Sequence, residues 1–289
     1  MGKSELKPVV LITGCSSGFG RGMVSAFLGD GWHVVATLRR ADERRDLFAD
    51  EAKTYGKDLE IVEMDVTSPS QRTEAIAFVS REIGRLDCLV NNAGYMLLGA
   101  CEDVSESQLR QQLEINFFGA VLLITEALPL LRASRGSIIN ISSVFGFMTW
   151  PLTSVYCASK FALEGLSESL AQELRAHGVR VVIIEPGSHS TRLGDNIQWG
   201  LKASQHSVYQ PETDEYRRLR ETFRLKSESS VVDVARTAVR AARNGRRVRY
   251  RVGRGTEVTY RMTRWFPEIF GVRLMRIIFR RLCKRAERR

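Results

Sequence analysis

The chain has no stretch of about 18 apolar, uncharged residues, so it predicts no membrane-spanning segment. Its opening, MGKSELKPVV, lacks an apolar core of secretory length, and no secretory leader is expected. Gly2 invites myristoylation, but the sixth residue is Leu6 where Ser or Thr is required, which excludes that anchor. Cysteine is scarce and odd in number: Cys15, Cys88, Cys101, Cys157 and Cys283 have neither disulfide-framework nor metal-ligand spacing. They read as reduced thiols in a reducing compartment, and no metal site is expected. Internal repeats are missing as well. With 44% hydrophobic and 26% charged residues, the composition excludes a disordered or low-complexity chain.

Charge is plentiful but unevenly placed. The 289 residues carry 43 Lys+Arg against 33 Asp+Glu, a net +10. Residues 243–289 hold 16 basic and 3 acidic side chains, a net +13, which leaves residues 1–242 with 27 against 30, a net −3. A basic protein ordinarily suggests a polyanionic partner. Here the body is nearly neutral, and only the C-terminal segment is basic.

Short β-branched runs alternate with longer amphipathic segments. The runs are Val9–Thr13, His33–Leu38, Leu59–Met64, Asp87–Asn91, Ser137–Ile141 and Val179–Ile184. Near-continuous apolarity is the mark of parallel strands buried on both faces. Helices are predicted at Phe19–Gly29, Ser70–Ile83, Glu106–Leu128 and Ser154–Ala176, with Gly31, Gly84 and Gly178 placed as C-caps. The alternation predicts a single α/β domain over residues 1–255: a doubly wound parallel sheet in three αβα layers. Residues 188–229 break the rhythm, being polar and without a clean period. An insertion there follows the sixth strand, at the ligand-binding edge of such a sheet, and is expected to be a lid over a substrate.

The first strand leads into Thr13-Gly14-Cys15-Ser16-Ser17-Gly18-Phe19-Gly20 and then directly into a helix. Glycines let the backbone approach a pyrophosphate, whose charge meets free N–H groups and the positive end of the helix dipole. Placed between a strand and a helix near the N-terminus, the string reads as a Rossmann-type dinucleotide-binding loop in preference to a structural turn without a ligand. An NAD site needs a carboxylate about 20 residues further on, at the end of the second strand. None is present: the chain reads Ala36-Thr37-Leu38-Arg39-Arg40. Arg39 offers a guanidinium fork suited to a 2′-phosphate, and Ser17 can add a hydroxyl. The reading is therefore NADP(H) in preference to NAD(H). Asp65-Val66 ends the third strand and can receive the adenine amino group. Asn91-Asn92-Ala93-Gly94 ends the fourth and leaves room for the adenosine.

Tyr156 and Lys160 lie four apart on one helical face. A phenol titrates near 10, and a neighbouring ammonium brings it toward working pH. Ser143 places a hydroxyl at the end of the preceding strand. Asn116, an amide that disfavours helices, sits inside a predicted helix.

Taken in order, Thr13-Gly14-x-x-x-Gly18-x-Gly20, Asn91-Asn92-Ala93-Gly94, Asn116, Ser143, Tyr156-x-x-x-Lys160 and Pro186-Gly187 with Thr191 resemble the short-chain dehydrogenase/reductase family over residues 8–190. The segment VYCASKFALEGLSESLA is similar to oestradiol-type hydroxysteroid dehydrogenases and their retinol dehydrogenase relatives. Phe19 departs from the family's usual aliphatic residue, and nothing after Thr191 matches a motif. The resemblance implies hydride transfer between nicotinamide and a carbonyl or alcohol carbon. It gives Tyr156 the role of general acid/base, and makes Ser143 the residue that steadies the substrate oxygen. Lys160 would hold the nicotinamide ribose, Asn116 would position a relaying water, and Pro186, Gly187 and Thr191 would contact the nicotinamide. It further implies a small hydrophobic substrate, steroid-, retinoid- or lipid-like. A homo-oligomer would be built on the helices carrying Asn116 and Tyr156.

Arg246–Val252 alternates Arg with apolar residues, as an edge strand would. Residues 256–289 read as a basic amphipathic tail, with Arg273, Arg276, Arg280 and Lys284 on one face and Phe270, Leu274, Ile277, Ile278 and Leu282 on another. Two readings stay open: the apolar face packs on the domain or a subunit, or it lies on an anionic membrane surface. No nucleic-acid-binding fold accompanies it, so no nucleic acid is expected. The expected location is cytoplasmic or peripheral on a membrane. The alternative to an oxidoreductase is a nucleotide-binding regulatory or scaffold protein that kept the fold and lost turnover.

Overall fold

A computed structural model describes residues 7–187, 197–201, 207–226 and 231–286. Its strands are β1 (Val9–Ile12), β2 (His33–Leu38), β3 (Leu59–Glu63), β4 (Cys88–Asn91), β5 (Met96–Leu98), β6 (Ser137–Ile141), β7 (Arg180–Pro186), β8 (Ile197–Trp199) and β9 (Arg249–Val252). Its helices are α1 (Gly18–Gly29), α2 (Ala49–Tyr55), α3 (Pro69–Phe78), α4 (Glu106–Leu113), α5 (Gly119–Ser134), α6 (Ser154–Glu173), α7 (Gln210–Lys226), α8 (Val231–Asn244), α9 (Thr256–Trp265) and α10 (Leu274–Ala286). A π-helical turn, Glu114–Phe118, joins α4 to α5.

Seven strands form one sheet in the order β3-β2-β1-β4-β6-β7-β9, every neighbouring pair parallel. Alternate residues of each strand supply opposite cores. Val10 and Ile12 pack with Phe27 of α1 and Val234 and Ala238 of α8. Val9 and Leu11 pack with Leu123, Ile124 and Leu131 of α5 on the other face. The result is the three-layer doubly wound sheet that the strand–helix alternation anticipates.

The differences are local. The predicted Glu106–Leu128 helix continues to Ser134, through Pro129. The continuous run Glu106–Ser134 is long and apolar enough by composition to cross a bilayer, although no 18-residue run in it is free of polar residues. Its inner side chains, Leu123, Ile124, Ala127 and Leu131, are buried against the sheet, as a core helix requires. The polar insertion contains β8, which pairs with β5 in a small second sheet, and α7. Neither carries a periodic apolar signal in the sequence.

Beneath the edge strand lies a buried ionic network. Arg249 of β9 bonds Glu164 of α6 and lies 2.5 Å from Glu185 of β7 and 2.7 Å from Glu168. Arg251 lies 3.0 Å from Glu185 and 2.6 Å from Glu257 of α9. Burial pushes the Glu164 carboxyl up to about 7, with the like charge of Glu185 adding and Arg249 opposing. Removing Arg249 leaves the buried Glu164 without a counter-ion and Glu185 with Arg251 alone. Arg249→Met should cost about 3–5 kcal/mol at pH 8 in urea denaturation. Unpaired buried carboxylates hold protons more tightly folded than unfolded, so the deficit should shrink at pH 5. An equal deficit at both pH values would contradict this account.

Candidate active site

At the N-terminus of α1 the loop is held by its neighbours. The Thr13 hydroxyl accepts from the backbone N–H groups of Asn92 and Ala93, both at 2.9 Å. The Asn92 amide donates to the carbonyls of Thr13 at 2.8 Å and Gly14 at 3.1 Å. Gly14 has φ of +70°, and a Cβ there would stand 2.8 Å from the Ala93 Cα. A Cβ on Gly20 would overlap the Gly14 carbonyl and reach 2.6 Å from the Asn92 amide nitrogen. Thr13, Asn92 and Gly20 thus fix the loop's shape, with Thr13 and Gly20 behind the wall. Gly14, Ser16, Ser17, Gly18 and Phe19 line a cavity of about 680 Å³ in front of them. Ser17 is the α1 N-cap, and its side chain makes no capping hydrogen bond. The loop's small residues and the unshared positive end of α1 fit a pyrophosphate.

At one end of this cavity Leu38 and Arg39 close β2. Arg39 is exposed and only loosely held, 3.9 Å from Asp65 Oδ2. Asp65 Oδ1 accepts from Thr67 N and Oγ1 at 2.9 and 2.8 Å, which fixes the carboxylate at the cavity edge. Arg44 lines the same region. Sequence reading misses it because it lies in the helical turn Asp42–Phe48, outside any motif. Val66, Asn92, Ala93 and Gly94 complete the wall.

At the other end stand Ser143, Tyr156, Lys160, Pro186 and Gly187. Ser143 is buried, and its hydroxyl oxygen accepts from Phe145 N at 3.2 Å, which leaves its proton to donate. Lys160 Nζ donates to the Ile141 carbonyl at 2.9 Å and lies 6.0 Å from the Tyr156 ring centroid. Burial brings the Lys160 ammonium down to about 8, with the Glu164 charge one turn further along α6 holding it up. Asn116 sits in the π-helical turn, a distortion common at functional sites. Its amide is clamped by Tyr95 N (3.1 Å), Tyr95 O (3.0 Å) and Ser159 Oγ (3.2 Å). It is set back from the main cavity, and a second cavity of about 10 Å³, lined by Asn116, Lys160 and Thr13, has room for one water. Thr191 lies outside the described residues.

Beyond Tyr156 the lining turns apolar and aromatic: Met96, Phe145, Trp150, Ile197 and Tyr216. Phe279 of α10 is buried behind it, 6.0 Å from Trp150 and 6.4 Å from Tyr216 between ring centroids. The described part of the polar insertion therefore supplies pocket lining through β8 and α7, and the C-terminal segment braces that lining. No motif marks these residues; their positions emerge only from packing.

The short chain dehydrogenase family profile matches residues 8–200. A 3-ketodihydrosphingosine reductase of Bacteroides thetaiotaomicron is 37% identical over 203 residues, spanning 70% of this chain and 71% of that protein. Retinol dehydrogenase 8 of Homo sapiens is 35% identical over 211 residues, spanning 72% of this chain and 67% of that protein. A short-chain dehydrogenase from Streptomyces avermitilis superposes with a TM-score of 0.75 at 30% identity, covering 89% of this chain and 97% of that one.

Because the folded Lys160 binds its proton less tightly than the unfolded chain does, its burial destabilises the fold fully below about pH 8. That penalty is relieved as pH rises from there toward the ordinary lysine value. Lys160→Met should therefore be more stable than the parent at pH 7, with the gain shrinking as pH approaches 10. Urea denaturation across that range checks it, and a pH-independent difference would count against a buried ammonium.

Proposed function

The chain belongs to the short-chain dehydrogenase family of oxidoreductases, and from that membership and the arrangement of its site we propose an NADP(H)-dependent reductase or dehydrogenase acting on a hydrophobic ketone, aldehyde or secondary alcohol. The observation that carries the proposal is one continuous cavity running from Ser16 and Arg39 to Ser143, Tyr156 and Lys160. The bound nicotinamide supplies or takes the hydride. Gly14, Ser16, Ser17 and Gly18 would hold the pyrophosphate. Arg39, with Arg44 beside it, would take the 2′-phosphate, and Asp65 and Val66 the adenine. Ala93, Gly94, Pro186 and Gly187 would flank the remainder, with Thr191 added from beyond the described residues.

Tyr156 would donate its phenolic proton to the carbonyl oxygen in reduction, and remove the hydroxyl proton in oxidation. Ser143 would donate to the same oxygen and steady its developing charge. Lys160 would hold the nicotinamide ribose and keep the phenol's pKa within reach of neutrality. The small cavity between Lys160 and Asn116 supports a water that carries protons onward from Lys160. Met96, Phe145, Trp150 and Tyr216 favour a lipophilic substrate, with β8 and α7 of the 188–229 insertion as its lid, while residues 188–196, 202–206 and 227–230 lie outside the described residues. The names of the two relatives, one acting on a ketodihydrosphingosine and one on retinol, agree with that substrate class.

Exposed Phe118, Leu122 and Phe161 put apolar surface on the two helices carrying Asn116 and Tyr156, which supports a homo-oligomer built there. Cys15, Cys88 and Cys157 are free and buried, and burial pushes the Cys15 thiol up to about 12. Such inert, unpaired thiols support a cytoplasmic location.

NADPH absorbance loss with a panel of lipophilic carbonyls tests the activity. Tyr156→Phe should lower turnover by about 10²–10⁴-fold while leaving NADPH binding intact. Retention of most turnover would end the assignment. Arg39→Asp should raise the KM for NADPH roughly tenfold or more and spare NADH; an undiminished preference for NADPH would refute the cofactor choice.

A further inference from the structure

A surface helix normally buries its apolar residues and shows its polar ones to water. α9 departs from that pattern: its buried side chains are two threonines. Thr256 and Thr263 are buried, at 6% and 7% exposure, with their hydroxyls donating to Gly253 O at 2.8 Å and Thr259 O at 3.0 Å. Tyr260 lies under the Arg251 guanidinium, 3.5 Å from ring centroid, and edge-on to Phe147 at 5.2 Å. The opposite side presents Val258, Met262 and Trp265, the last 77% exposed, and the apolar surface continues through Phe266, Ile269 and Val272. These are not the side chains that the sequence pattern sets on the tail's apolar face. Of that set, Phe270, Leu274 and Ile278 are half-buried and only Ile277 is exposed, while the side chain of Leu282 lies outside the described residues.

The exposed charge along this segment is mainly cationic, with Glu257 and Glu268 its exposed acids among the described residues. Arg261, Arg264, Arg273, Arg276 and Arg281 are exposed. Arg261 pairs with Glu257 at 2.8 Å; among the described residues the other four make no ion pair. A second copy of the chain docking here about a two-fold axis would bring the same arginines face to face. A bilayer with anionic headgroups accepts both features, aromatic side chains at the acyl boundary and guanidinium groups at the phosphates.

We propose that α9 and the helical turn after it dock on the surface of an anionic bilayer, with Trp265 and Phe266 as the apolar anchors and no segment crossing the membrane. The inner side of α9 adjoins the site, where a Cβ on Gly187 would stand 2.5 Å from Thr256 Cγ2, and Phe279 of the following α10 backs Trp150 and Tyr216. Docking thus sets the pocket beside the phase in which a lipophilic substrate dissolves, a consequence that alone rests on the oxidoreductase reading.

The test is sedimentation of the full chain with phosphatidylcholine vesicles, with and without phosphatidylglycerol. The protein should pellet with the phosphatidylglycerol-containing vesicles and be released by high salt. The double variant Trp265→Ala/Phe266→Ala should lower partitioning about tenfold or more. The triple variant Arg264→Glu/Arg273→Glu/Arg276→Glu should abolish the preference for the anionic lipid. Both variants change exposed side chains and should keep the parent's melting temperature and its NADPH-dependent turnover of a water-soluble carbonyl. Equal pelleting with both vesicle types, or binding unchanged in the variants, overturns the proposal. So does a dimer seen by sedimentation velocity that the Trp265→Ala/Phe266→Ala variant dissociates. Vesicle binding that follows the expected pattern in a protein without carbonyl turnover sinks the oxidoreductase reading and leaves this one standing.

Discussion

The parallel alignment of the seven strands is the constraint from which the rest follows. When every strand runs the same way, every carboxyl end falls on one edge, and the loops leaving those ends converge. Leu38 and Arg39, Asp65, Asn92 to Gly94, Ser143, and Pro186 and Gly187 are scattered along the chain, yet they border one cavity because each ends or follows a strand of the same sheet. Burial of both faces leaves the strands few choices beyond Val, Ile and Leu. Most of the chemical variety accordingly gathers at that edge.

Parallel alignment needs an edge strand, and here the edge strand is tied by charge to α6, the helix that carries Tyr156 and Lys160. Arg249 and Arg251 of β9 reach Glu185 beside them in the sheet, Glu164 on α6 and Glu257 on α9. Glu164 lies one turn beyond Lys160, so its negative charge opposes the desolvation that would strip the lysine of its proton. A buried network of this kind is weak support for stability, because each ion must leave water. What it supplies is register. It fixes where β9 and α9 sit relative to α6.

The strands, the order of the site motifs and the missing carboxylate after β2 were legible because each depends on residue type at short range. β5 and β8 were not: three-residue strands offer no period to read. α7 was hidden for the opposite reason, since a helix rich in Arg and Glu has no apolar stripe. Asn116 stood out as misplaced in a helix, but only coordinates reveal the π-helical turn that admits it. Arg44 reaches the cavity through a helical turn whose direction is set by tertiary packing. In Arg249 and Arg251 the alternation suggested an edge strand, yet nothing local said that their partners were buried acids on two other elements.

The net charge of +10 can now be divided by location. Arg249 and Arg251 are matched inside the fold, Arg39 and Arg44 stand at the cavity, and Arg264, Arg273, Arg276 and Arg281 remain outside. Outward arginines alone prove little, because a solvated charged face looks the same and its attraction to any polyanion is screened within about 10 Å at 0.1 M salt. The apolar side chains between them change the inference. Water offers no reason for a helix to bury threonines and display Trp265. A nucleic acid duplex would meet the charge but leave the aromatic surface wet, and a neutral apolar partner would strand the arginines. A surface that is anionic at its outer layer and apolar just beneath satisfies both halves of the segment at once.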